Sequence, residues 1–384
     1  MSSLLLTNCH LISPDRNFAG SAILIEGGLI RRIFAEGDAL PSADRVIDAA
    51  GAMTLPGFID VHCHGKSGVD FCDATDEAME TIGIDKLKEG VTSYLPTTLT
   101  LPEDLLARAL KTAADYTAKG VRGCKLPGVH LEGPFINPKC LGAQNPDYVR
   151  EPDIEMVRRL AKIYPVKKVS YAVEMPHGAE FAAELIAEGI LPSCAHSAAK
   201  YTDFQAAYRH GLHALTHFCN QMTPLHHRDI GLVGAGLLHQ DVYVEMICDK
   251  LHLCPDMIKL VFSQKDLGHI LLITDAMRAA GMPDGESSLG GLPVIVKDGA
   301  ARLVSNGALA GSTLQICRAL RNVYEITGLP LEQLVRTTSL NQAVSLGLEK
   351  LGRIEPGYYA DIVILNDDFT VKKTFVNGEL RYEA

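Results

Sequence analysis

The chain has 384 residues, 47% of them hydrophobic and 21% charged, which suits two globular domains or one barrel with an appendage. Its formal net charge of −10 and lack of a basic run argue against nucleic acid and anionic membrane as partners, leaving room for a local phosphate pocket. Ten scattered cysteines without a Cys-x-x-Cys pair read as reduced thiols; with no signal segment and no membrane-spanning apolar run, a cytoplasmic protein is expected.

Residues 1–55 read as short strands at 4–7, 22–26, 29–34 and 46–48, with Gly27-Gly28 as a tight turn. From Pro56 the pattern alternates apolar strand and amphipathic helix. Strands one to eight are expected at 58–64, 91–95, 128–132, 168–173, 190–196, 214–218, 242–248 and 269–275. Helices are expected at 74–89, 102–118, 153–163, 178–188, 201–210 and 255–263. This alternation predicts an α/β fold, a (β/α)8 TIM-like barrel over residues 56–346. An open doubly wound sheet is the alternative, weakened because no Gly-rich phosphate fingerprint follows strand one. A hairpin follows at 292–297 and 301–304, turning at Asp298-Gly299, then helices at 312–327, 330–337 and 341–346. Strands at 361–365 and 371–376 close the chain. The β-rich ends, 1–55 and 347–384, are expected to form one small β-sandwich domain.

The stretch Pro56-Gly57-Phe58-Ile59-Asp60-Val61-His62-Cys63-His64-Gly65 is the densest chemical signal. Alternate residues of a strand share a face, so His62 and His64 point together, with Asp60 deeper and Cys63 turned away. Barrel enzymes carry their reactive groups at the C-terminal ends of the strands. Read that way, strand one offers His62 and His64, strand three Glu132, strand five His196, strand six His217 and strand eight Asp275. One such residue alone is more often a satisfied core group. Six at one rim predict one or two divalent metal sites with room for water. A metal-activated water and a neighbouring carboxylate imply hydrolysis of an amide, ester or related bond, with Asp275 carrying the proton. His130 reads as a packing or supporting residue.

The set Pro-Gly-Phe-Ile-Asp-x-His-x-His, His-Leu-Glu-Gly-Pro-Phe, His-Ser, Thr-His-x-x-Asn, His-His-Arg-Asp, Thr-Asp-Ala and Leu-x-Gly-Ser resembles the N-acetylglucosamine-6-phosphate deacetylases of the amidohydrolase superfamily. The resemblance covers almost the whole chain. It implies that Glu132, His196 and His217 hold the main metal and that His62 and His64 add a second site, with Glu132 bridging. Zinc, iron, cobalt or manganese would serve, one or two ions per subunit. It implies substrate contacts from Ala143, Gln144, Asn220, Gln221, His252 and the segment Leu309-Ala310-Gly311. Arg228 would clamp the phosphate from the partner subunit of a homodimer, a task suited to its planar fork. The substrate would be a phosphorylated N-acetyl amino sugar. Four positions depart from the usual pattern: Gln144 in place of a histidine, Ala195 of a glycine, Gln221 of an alanine and Lys250 of a glycine. The alternatives are deacetylation of N-acetylgalactosamine-6-phosphate or an N-acyl amino acid, or a non-catalytic sugar-phosphate-binding homologue.

Overall fold

The computed structural model describes residues 3–384. Its first strand, Ser3–Ser13, is the spine of a sheet shared by both ends of the chain. Asn8 breaks the strand's register with a left-handed backbone, φ 51°, which asparagine tolerates better than most residues. Residues before that break pair with Arg45–Asp48, and residues after it pair with Met53–Pro56, both in parallel. Arg16–Glu26 and Leu29–Phe34 extend the opposite edge. Met53–Pro56 then takes Ile362–Leu365 as an antiparallel partner, and Val371–Val376 and Glu379–Glu383 follow. The result is one eight-stranded sheet, joined by the first and last segments of the chain. Leu6, Leu11 and Ile23 from the front of the chain share an apolar cluster with Ile362, Ile364 and Phe375 from its end.

Between these segments eight strands pair in parallel. Strand one, Phe58–Cys63, pairs with strand two, Val91–Pro96. Strands three to eight are Val129–Glu132, Val166–Tyr171, Leu191–Cys194, Ala214–Leu215, Tyr243–Met246 and Ile270–Leu272, hydrogen-bonded in that order. Single parallel bridges link Thr97 to His130 and Cys63 to Ala276. They join strand two to strand three, and the exit of strand eight to strand one.

Six expected helices are present: Asp76–Leu87, Glu103–Ala118, Ile154–Ala161, Gly178–Ala187, Tyr201–Arg209 and Pro255–Gln264. The second buries Leu106, Ala109, Leu110, Ala113 and Tyr116, one stripe at helical spacing. Thr75 and Asp153 cap the first and third by accepting from the backbone three residues on.

The structure corrects the sequence reading at several places. A helix, Gly231–Leu238, lies between strands six and seven. Its sequence, Gly-Leu-Val-Gly-Ala-Gly-Leu-Leu, has no polar face and so no readable period. A side chain at Gly236 would lie 2.4 Å from the ring of Phe218, so this close approach admits only glycine. The helix expected from 312 starts at Ile316. Ser312 is instead tied into the exit of strand eight, donating its N–H to Asp275 O (2.7 Å) and accepting from Met277 N (3.0 Å). The hairpin is formed as expected, Leu292–Lys297 with Ala300–Leu303, but a third strand, Gly285–Leu289, joins it. No described helix is long and apolar enough to cross a membrane.

Candidate metal centre and active-site cleft

His62 follows Asp60 on the inward face of strand one, and His64 lies one residue beyond its end. Glu132 ends strand three. His196, His217 and Asp275 lie past strands five, six and eight rather than within them, contrary to the expected spans. All three have left-handed backbone, φ 45°, 35° and 50°. Such conformations are unfavourable for side chains larger than hydrogen, and they cluster where a site requires a particular aim. Here they turn the side chains at the strand ends toward one point.

That point is the Glu132 carboxylate. Its Oε1 lies 3.3, 3.4 and 3.2 Å from Nε2 of His62, His196 and His217. Its Oε2 lies 3.2 Å from His64 Nε2. Asp275 Oδ1 faces the same pair from the far side, 3.5 Å from His62 Nε2 and 3.3 Å from His64 Nε2. All six residues are buried. His130 stays apart: its ring meets Ser170 Oγ at 2.7 Å and Thr97 Oγ1 at 3.3 Å and packs edge-on against His62.

Two groups could each hold a metal ion: His62, His64 and Glu132, and Glu132, His196 and His217. The nitrogens give a geometric test. Two imidazoles ligating one tetrahedral zinc at about 2.0–2.1 Å have nitrogens roughly 3.3 Å apart. His62 and His64 Nε2 are 3.3 Å apart, and His196 and His217 Nε2 are 3.1 Å apart. The other ring nitrogens are already occupied, with His64 Nδ1 on Thr97 O, His196 Nδ1 on Cys140 O and His217 Nδ1 on Asn220 O. The inward nitrogens are therefore free to act as ligands, and the mixed nitrogen and oxygen set suits a borderline divalent ion.

The electrostatics also call for a cation. Burial works against a proton on His62, but the carboxylates of Asp275 and Glu132 outweigh it and lift the imidazole to about 9. Burial opposes ionisation of Glu132, yet the facing His62, His196 and His217 hold it well below the usual carboxylate range. Asp275 is likewise held down, burial being outweighed by His62 and His64. An ion can replace the imidazole protons as the balancing charge.

A cleft of about 350 Å³ opens over this cluster. His64, Glu132, His196, His217 and Asp275 line it, with Ala143, Gln144, Asn220, Gln221, His252, Leu309 and Gly311. His62 lies beneath the lining and Ala310 packs into the apolar cluster under the hairpin. Gln144 is fixed at both ends, donating to Glu132 Oε2 (2.7 Å) and accepting from Thr100 N (2.7 Å). His252 is aimed by Asp249, 2.7 Å from its Nδ1. Arg228 is exposed and outside the cleft; its backbone N–H donates to His226 Nδ1 (3.3 Å) and its guanidinium to His227 Nε2 (2.8 Å). Lys250 also stands outside, near Glu325 in an adjacent cleft, so Gln144 and Gln221 are the two departures that face the site.

Sequence reading missed Leu99, Gly142, Ile247, Leu289 and Arg302 in the lining. Ile247 follows the end of strand seven, a position that could have been flagged. Leu289 comes from the added strand and Arg302 from the expected hairpin, whose lean over the cleft left no local signal.

Comparison with known proteins agrees along the whole chain. The Amidohydrolase family model matches residues 53–381. An N-acetylglucosamine-6-phosphate deacetylase of Lysinibacillus sphaericus is 36% identical, over 100% of this chain and 98% of its own. An N-acetylgalactosamine-6-phosphate deacetylase of Escherichia coli O157:H7 is also 36% identical, over 87% of this chain and 89% of its own. A mutant N-acetyl-D-glucosamine-6-phosphate deacetylase of Mycobacterium smegmatis, solved with N-acetyl-D-glucosamine-6-phosphate, superposes with a TM-score of 0.92 at 29% identity, over 99% of this chain and 100% of that one. The chain belongs to the amidohydrolase family, with the N-acetylglucosamine-6-phosphate deacetylases as relatives along its full length.

Proposed function

We propose that the cleft hydrolyses the acetamide of N-acetylglucosamine-6-phosphate, giving acetate and glucosamine-6-phosphate for amino-sugar recycling in the cytoplasm. The observation that carries this is the convergence of His62, His64, His196 and His217 on Glu132, with Asp275 opposite, in a chain whose relatives bear that activity in name. Glu132, His196 and His217 would hold the main divalent ion. His62 and His64, with Glu132, would hold a second. The chemistry such an ion would supply is polarisation of a carbonyl and a lowering of the pKa of water from about 15.7 toward 7.

The chain's own groups do the rest. Asp275, kept ionised by its imidazole neighbours, takes a proton from the attacking water and passes it to the leaving amide nitrogen. Gln144 has one N–H left after its bond to Glu132 and offers it to the substrate. Ala143, Asn220, Gln221, His252 and the Leu309-Ala310-Gly311 segment bind the sugar. Arg228 clamps the phosphate from the partner subunit of a homodimer. The frame for this site is a (β/α)8 barrel, strands one to eight over residues 56–346, with residues 1–55 and 347–384 folded as a small β-sandwich beside it. The bridges from Cys63 to Ala276 and from Thr97 to His130 support that closure.

Acetate release tests the proposal, with zinc, iron, cobalt and manganese supplied separately and both epimeric N-acetylhexosamine-6-phosphates and free N-acetylglucosamine as substrates. Turnover of N-acetylglucosamine-6-phosphate is expected. A metal-loaded sample that frees no acetate from any of them would overturn the reading in favour of a non-catalytic sugar-phosphate binder.

A further inference from the structure

Two buried charged residues below the cleft remain without a role. Strand seven turns Glu245 into the interior and strand four turns Lys168 toward it; they are 1% and 0% exposed. Lys168 Nζ donates to Glu245 Oε1. The other oxygen, Oε2, lies 3.3 Å from His62 Nδ1. Neither residue lines the cleft, so neither meets a substrate there.

The partner of His62 differs in kind from those of the other three histidines. His64, His196 and His217 rest their Nδ1 atoms on the backbone carbonyls of Thr97, Cys140 and Asn220, at 3.2, 2.8 and 3.1 Å. Only His62 rests on a carboxylate. Either partner places the ring proton on Nδ1 and leaves Nε2 as the inward ligand atom. A carboxylate carries a full charge, so it also raises the donor strength of the ring. Lys168 prevents Glu245 from being an uncompensated buried anion and holds Oε1, which aims Oε2 at His62.

We propose that Glu245, set by Lys168, is a positioning residue for the His62–His64–Glu132 group and strengthens its hold on an ion, independently of the Glu132–His196–His217 group. The inference rests on the reading that both groups bind divalent ions. Its test is metal binding rather than turnover. Wild type, Glu245→Gln and the Glu245→Gln/Lys168→Met double variant are equilibrated with zinc buffered at the lowest free concentration that fills both wild-type positions. Ions per subunit are counted by elemental analysis, retention is followed against a chelator series, and the positions are located by anomalous diffraction.

Wild type should hold two ions. Glu245→Gln should bind the ion at His62 and His64 about 10–100-fold more weakly, with the other position unchanged. The double variant removes the lysine left unpaired by Glu245→Gln, and circular dichroism melts report whether it is folded. It should show the same selective loss. Full occupancy of both positions in either folded variant overturns the proposal, and so does a wild type with an ion only at Glu132, His196 and His217. A wild type that binds no ion at either position instead overturns the reading of the centre itself.

Discussion

Asp275 gathers its properties from three sources: a left-handed turn that aims it, burial, and two imidazoles facing one of its oxygens. Asparagine keeps the shape and removes the proton acceptor. Asp275→Asn should lower kcat by about 10²–10⁴-fold with bound metal unchanged, as measured by acetate release beside elemental analysis. Loss of metal in step with activity would make Asp275 a ligand rather than a proton carrier. His62 yields a pH prediction for metal-free protein. Its imidazole is raised from 6.5 to about 9 in the folded chain, so its contribution to stability is complete below pH 6.5 and disappears as pH rises through about 9. In chelator, the melting temperature of wild type should exceed that of His62→Gln most at pH 6, and the gap should close by about pH 9. A gap that widens with pH contradicts the assignment. The pairing of His62 with His64 was legible because it needs only the two-residue period of a strand. Glu245 and Lys168 were not, because they meet across the interior from strands 77 residues apart in sequence, a fact of three-dimensional register.

At the scale of elements, the clearest device ties the first strand to the eighth. Asp60, deep on strand one, accepts from Lys86 Nζ (2.6 Å) and from Thr274 Oγ1 (2.6 Å) next to Asp275. Asp60 and Lys86 are both fully buried and paired, and Lys86 also meets buried Glu89 at 3.4 Å. Removing Lys86 leaves Asp60 without its buried cation. Lys86→Met should cost about 3–5 kcal/mol, read from urea unfolding, while the Asp60→Asn/Lys86→Met pair should recover part of it. Additive losses in the double variant would mean the two ions are not paired. The strands themselves were readable because apolar runs alternated with amphipathic helices. Their ends were not: residues 195–196, 216–218 and 273–275 read as strand but leave it, since the left-handed turns are imposed by the converging site. Gly231–Leu238 escaped notice for the opposite reason, having no polar face to mark its period.

For the whole molecule, the open question is how many chains make one working site. The cleft has its own arginine, Arg302, from the hairpin, whose Nη1 already donates to Gly307 O at 2.9 Å. Arg228 lies outside the cleft on an exposed turn. If it serves the neighbouring subunit, two defective chains must complement each other. Arg228→Ala lacks the clamp it lends but keeps Asp275; Asp275→Asn lacks the proton carrier but keeps Arg228. In a mixed dimer the second lends its arginine to the first and rebuilds one complete site. Random pairing of equal amounts makes half the dimers mixed, each with one working site, so co-expression should restore about a quarter of wild-type sites, where each variant alone is crippled. An arginine acting within its own chain rebuilds nothing on mixing, and activity would stay at the average of the two variants. The experiment thus separates a shared site from a self-contained one without a structure of the dimer.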